Sequence, residues 1–225
     1  MHTRELIRFL DELSTHNNRP WFLHNKPRYD ILREEFLLLV IKVIEGVGKF
    51  DPAVADASAK KALFRIHKDM RFSKEKIPYK THFSAAFSAS GLKKPSQGGG
   101  PAYYFHIDQN GTLLYGAGEY LPPPPRLKAI REQIMADPKG FGKVLSDKAL
   151  CTTYGQLNQE DKLSRPPKGF DGESVHADYL KLKSFGIWNE VDAMKASEPD
   201  LAKTLIQGFK DSQALIKWLR AIPLA

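Results

Sequence analysis

Between Tyr103 and Glu119 the chain spells out a β-hairpin, and no other stretch restricts the fold as tightly. Tyr103, Phe105 and Ile107 alternate with Tyr104, His106 and Asp108, the period of a strand that buries one face. Gln109-Asn110-Gly111 supplies turn chemistry, and Thr112 to Glu119 returns as the partner strand. Gly116 and Gly118 in that partner imply a bulge or a close approach of backbone, with a ligand as the alternative. Upstream, Phe83, Ala85 and Phe87 alternate with His82, Ser84 and Ser88 and predict another strand. From Lys61 the same period puts Ala62, Phe64 and Ile66 toward the core and Leu63, Arg65 and His67 on the opposite face.

Helical periodicity flanks these strands. Leu6, Phe9, Leu10 and Leu13 mark a short amphipathic helix ending before Ser14-Thr15-His16-Asn17-Asn18. A second helix opens at Pro27 and carries Tyr29, Leu32, Phe36, Leu39, Val43 and Val47 on one stripe, stopping at Gly46 to Gly48. The proline run from Leu121 to Pro125 leads into a helix that reaches Ala136, and Asp137-Pro138 starts another helical turn. His176 to Ser184 reads as helix and Phe185 to Trp188 as strand. Ser197-Glu198-Pro199-Asp200 opens a last helix with Leu201, Leu205, Phe209, Ile216 and Leu219 on its buried stripe. The expected fold is a single α+β domain over residues 1–225: a mainly antiparallel sheet with helices packed on one face. Its N-terminal helices fall at about 3–48, its central sheet at about 61–119 and its C-terminal helical part at about 125–225.

Composition narrows the chemistry. The 225 residues carry 34 Lys and Arg against 26 Asp and Glu, a net charge of +8, which favours anionic partners. Cys151 is the only cysteine. One cysteine excludes an internal disulfide and a multi-cysteine zinc site, and fits a reducing, cytoplasmic location. The opening residues lack a signal peptide's charge and apolar pattern, and the run from Phe36 to Ile41 is far below the roughly 20 residues needed to span a bilayer. No membrane association is expected. Gly98-Gly99-Gly100 has no Gly-Lys-Ser/Thr after it and reads as a turn rather than a phosphate loop.

Half of the net charge sits between Arg65 and His82, where six Lys and Arg face two acidic residues. The core of that segment, Phe64 to Lys80, closely resembles the signature of an uncharacterised, mostly bacterial family, domain-of-unknown-function family 2461. Asn18-Arg19-Pro20-Trp21-Phe22, Tyr103-Tyr104-Phe105-His106-Ile107, Arg165-Pro166-Pro167-Lys168-Gly169-Phe170 and Leu180-Lys181-Leu182-Lys183-Ser184-Phe185 match its pattern in order, so the resemblance covers nearly the whole chain. Arg65, Asp69, Arg71, Phe72, Lys76 and Tyr79 follow the signature. Lys68 stands where the pattern usually has arginine and lacks the two-pronged contact of a guanidinium, and Glu75 stands where it usually has aspartate or asparagine. The resemblance implies an address and no settled activity.

Two readings of the basic segment stay open. In one, Asp69 pairs with Arg65 or Arg71 while Lys76 and Tyr79 tie down the loop, an internal brace without a ligand. In the other, Arg65, Lys68, Asp69, Arg71 and Lys76, joined by Arg165 and Lys168, hold a phosphorylated or carboxylate small molecule. Strand alternation then gathers Arg65, His67, His82, Tyr104 and His106 on one sheet face, given the right register. His82 and His106 become candidate proton carriers for phosphoester hydrolysis or transfer, and Tyr79 a hydroxyl donor. His67, His82 and His106 lack a recognisable metal-ligand spacing, so no metal site is assigned and the cofactor is left unknown. Nucleic acid is a competing partner, with Phe72 and Tyr79 stacking on bases, although no helix-turn-helix, zinc-finger or RNP signature is present. A protein-interaction surface around Trp21-Phe22 or Trp188 is a third class.

Overall fold

The computed structural model describes residues 1–69, 77–92, 97–170, 173–195 and 200–224. Four strands, β1 (His82–Ser88), β2 (Ala102–Asp108), β3 (Thr112–Glu119) and β4 (Phe185–Asp192), form one antiparallel sheet in the order β1-β2-β3-β4. Its helices are α1 (Thr3–Thr15), α2 (Arg19–His24), α3 (Lys26–Gly48), α4 (Ala59–Ala62), α5 (Pro124–Ala136), α6 (Pro138–Leu145), α7 (Lys148–Tyr154), α8 (Ala177–Leu180), α9 (Asp200–Asp211) and α10 (Gln213–Ala221). The fold is α+β, as the hairpin and the helical periods require. Inside the hairpin turn the Asp108 carboxylate accepts from the Asn110 and Thr112 backbone N–H groups, and Gly111 takes φ 79°. Only glycine adopts that conformation without strain.

The chain divides into two compact units. The first comprises Met1–Ala86, Tyr104–Tyr115 and Glu190–Ile206. Its core joins the α1 stripe of Leu6, Phe9, Leu10 and Leu13 and the α3 stripe of Leu32, Phe36, Leu39 and Val43 to Phe83, Ala85 and Phe105 of the sheet. Phe36 meets Phe83 edge-on at 5.6 Å and Phe105 at 5.5 Å. Burying a side chain of this size stabilises by about 1.5–3 kcal/mol. Arg28 pins α3 to α1 through Glu5 at 2.6 Å and Glu12 at 2.5 Å. A Cβ on Gly46 would run into the Ile206 side chain, so that glycine sits inside α3 as a packing site rather than as its end.

The second unit comprises Phe87–Tyr103, Gly116–Asn189 and Gln207–Ala225. Ile130 and Ile134 of α5, Phe141 of α6, Leu150 of α7, Phe185 and Ile187 of β4, and Leu215 and Leu219 of α10 share one apolar cluster. Phe209 of α9 packs on Phe87 and Tyr103 at 6.0 and 5.1 Å. The Arg131 guanidinium is buried and donates to the carbonyls of Leu180 and Leu182.

Three local expectations change. The Ser58 hydroxyl accepts from Lys61 N–H and caps α4, so Ala62 belongs to a helical turn rather than a strand. Extended pairing starts one residue later, with buried Leu63 opposite Ala85 and half-buried Phe64 turned to Tyr104. The last helix is two, broken at Ser212, whose hydroxyl donates to the Phe209 carbonyl instead of leaving the helix undisturbed. Arg19–His24 also folds as a helix that periodicity did not reveal, capped by Asn18, whose side chain accepts from Trp21 N–H. The expected opening of the last helix at Ser197-Glu198-Pro199 lies outside the described residues.

Candidate functional site

The described residues on either side of the basic segment pair as a short, clamped stem within the first unit. Lys68 N–H donates to the Pro78 carbonyl and Lys80 N–H to the Ile66 carbonyl, each at 2.8 Å, with His67 opposite Tyr79. Pro78 is compatible with this ladder because it supplies only its carbonyl. The Asn17 side chain closes the stem, accepting from Tyr79 N–H and donating to the Tyr79 carbonyl, both at 3.0 Å. Phe22 stacks on the Tyr79 ring at 4.1 Å and meets His67 edge-on at 5.8 Å. Asn17→Ala deletes both bonds, and at about 1 kcal/mol each it is expected to destabilise the protein by about 1–2 kcal/mol. Faster amide hydrogen exchange at Tyr79 and Lys80 is the local sign to measure.

On the sheet face opposite Phe83, Ala85 and Phe105 lie His82 and Ser84 of β1 and Tyr104 and His106 of β2. The imidazoles of His82 and His106 are 5.3 Å apart between centroids, and the Tyr104 hydroxyl is 3.1 Å from His106 Nδ1. Phe64 packs edge-on to Tyr104, and the Lys80 ammonium lies 5.2 Å above the Phe64 ring. Burial, followed by His106 and the Lys80 and Lys68 charges, pushes His82 down from 6.5 to about 4, with Asp108 opposing. Burial also lowers His106, against Asp108 and Glu190, and raises Tyr104. Both rings are therefore neutral at pH 7. Because the folded-state value of His82 is depressed, its neutral form favours the folded state fully above pH 6.5, and that contribution is lost as pH falls toward about 4. Beside this row a cavity lined by Tyr29, Arg33, Phe64, Ile66, His82 and Ser84 has room for little more than a water molecule.

The expected site residues are distributed as follows. His82, Tyr104 and His106 come together, with Lys68 near enough to act on His82. His67 does not join them: its pairing with Tyr79 turns it to Phe22, so the proposed grouping of three histidines fails. Tyr79 is buried in that aromatic packing. Arg65 and Asp69 are exposed and Lys68 half-buried. Arg71 and Lys76, like Phe72, lie outside the described residues. Arg165 and Lys168 are exposed residues of the second unit. Trp21 packs on Phe9 and His16, and Trp188 is half-buried. Among the described residues no three His, Cys, Asp or Glu side chains cluster as a metal would require.

Sequence reasoning missed Lys80 and Asn17, and put Ser84 on the His82 face without assigning it a role. Lys80 and Ser84 stand two residues to either side of His82, so strand period was the available signal for them. Asn17 gave none, since its partner is 62 residues away.

No curated protein and no solved structure matches the chain. The clamped stem and the Tyr104–His106 row fall within the stretch that a family model covers, residues 5–218 of the 225. The chain belongs to the family described as "Conserved hypothetical protein (DUF2461)".

Proposed function

We propose that the polar row of the first unit binds a small oxyanion, a phosphate ester or a carboxylate, and takes up a proton on binding. The observation that carries this reading is the electrostatic setting of His82. It is a half-buried imidazole beside a second imidazole, with Lys68 and Lys80 adding positive potential and Asp108 as the opposing charge. A bound anion neutralises that potential and favours the imidazolium. Protonated His82 then becomes a charge-assisted donor to the ligand. For a phosphoester, as the oxygen of water or of an acceptor hydroxyl bonds to phosphorus and releases its proton to solvent, the His82 proton is available to the leaving oxygen whose bond breaks, so hydrolysis or transfer is the reaction class this site suits. A cytoplasmic location belongs to the same reading and is supported by the single cysteine. No helix among the described residues is long and apolar enough to cross a membrane.

The test is a thermal-shift screen of phosphorylated metabolites and inorganic phosphate at pH 6 and pH 8, paired with a titration of the His82 ring by NMR. A stabilising anion is expected to act more strongly at pH 6 and to raise the His82 titration from about 4 toward 6.5. Lys68→Ala is expected to weaken both effects. If no anion stabilises the wild type over Lys68→Ala and the His82 titration stays in place, the reading is wrong. Binding of long nucleic acids with a steep salt dependence, and none of small anions, would replace it with a nucleic-acid module.

A further inference from the structure

We propose that Tyr104 fixes the tautomer of His106, dividing the imidazole pair into a constant hydrogen-bond donor, His106, and a single proton acceptor, His82. Tyr104 and His106 are two residues apart on β2 and project from the same face, which places the hydroxyl 3.1 Å from Nδ1. Of these two neutral groups the phenol is the stronger acid, and burial keeps its proton in place across the working pH range. The favoured direction is therefore donation from the Tyr104 hydroxyl to the Nδ1 lone pair. Neutral His106 must then carry its proton on Nε2. Nε2 is the nitrogen remaining to meet a ligand, and it meets it as an N–H donor.

Protonating His106 would set an Nδ1–H against the phenolic O–H. The hydroxyl would have to turn away, toward Ser84, the side chain that also interacts with it. That reorganisation opposes charging of His106, in addition to its burial and against the attraction of Asp108 and Glu190. His82 has no such restraint: no hydrogen bond to its ring is found among the described residues, and Lys80, Lys68, Asp108 and His106 act on it through charge. The inference rests on the oxyanion-binding reading for its ligand. It then specifies the ligand further, as an anion with one oxygen for the Nε2–H of His106 and another for protonated His82. Tyr104 is a positioning residue in this arrangement, acting through His106.

The experiment is a long-range proton–nitrogen correlation on ¹⁵N-histidine-labelled, full-length protein at pH 7.5 without ligand, with the His106 signals identified by their loss in His106→Gln. The expected wild-type result is an unprotonated Nδ1 and a protonated Nε2 on His106, with a preference about five-fold beyond that of a free imidazole, the worth of one net hydrogen bond. Tyr104→Phe is expected to reduce that preference to the modest bias of a free imidazole while the circular dichroism spectrum is kept. A wild-type His106 protonated on Nδ1 overturns the assignment whether or not the variant folds, and so does an unchanged tautomer ratio in folded Tyr104→Phe. Inorganic phosphate is then titrated. His82 is expected to gain a proton while the His106 Nε2–H persists. Should phosphate leave both rings unchanged while His106 shows the expected tautomer, the oxyanion reading and the ligand half of the inference fall, and the role of Tyr104 stands.

Discussion

Arg126→Met is expected to lower the melting temperature by roughly 6–20 °C, the largest effect of any single change proposed for this protein. Arg126 is 1 % exposed and its partner Glu119 0 %. Its Nε donates to both Glu119 carboxylate oxygens and its Nη2 to one of them at 2.5 Å. The remaining donors reach the carbonyls of Leu219, Ile222 and Pro223 at 2.7, 2.7 and 2.9 Å. The guanidinium thus uses all five of its N–H groups, pairs a carboxylate and satisfies three carbonyls at and beyond the end of α10. Removing it leaves a fully buried carboxylate without its cation, a loss of about 3–5 kcal/mol. Arg126→Lys is expected to recover only part, since an ammonium has three donors and no planar fork. Thermal unfolding followed by circular dichroism makes the measurement, with limited proteolysis of the C-terminal residues reporting release of the chain end. A shift below about 2 °C in Arg126→Met would show that this buried network contributes little.

Gly118→Ala is expected to cost about 2–5 kcal/mol, from two separable causes. Gly118 has φ 131°, a conformation that carries a penalty of about 1–2 kcal/mol for an L-residue. A Cβ there would also stand within contact distance of the Phe185 carbonyl oxygen and 2.6 Å from Gly186 Cα, both backbone atoms of β4 that cannot step aside as a side chain would. Such overpacking adds about 1–3 kcal/mol. Gly155→Ala separates the two contributions: φ is 73° and nothing lies within 4 Å of the added carbon, so only the conformational penalty is expected. Urea unfolding of the two variants measures the difference. Equal losses would mean that β4 yields to the new methyl group.

The pair of strand glycines shows how far sequence reasoning reached. Gly116 and Gly118 pointed to a close backbone approach, and β4 makes it, with Ile187 and Phe185 carbonyls over them. The approaching partner was hidden, because strand pairing across an insertion of more than sixty residues leaves no local mark. The hairpin itself, α1 and α3 were legible, since each is dictated by a period within one short window. The strand expected from Lys61 slipped by one residue because a serine cap competed for the same residues. Ile66 and His67 nevertheless keep the faces expected of them, and it is the pairing of His67 with Tyr79 that took one of the three histidines from the site.

By itself the sequence determined the alternation that puts His82, Tyr104 and His106 opposite the buried aromatic row, the turn at Asn110-Gly111 and the family. These follow from neighbours a few residues apart, where backbone geometry alone decides which side chains share a face. Only the tertiary structure decided that His82 and His106 stand side by side, that burial and two lysines keep His82 neutral, and that Arg126 is interior. Each of these depends on register and burial, which arise from contacts between residues distant in the chain.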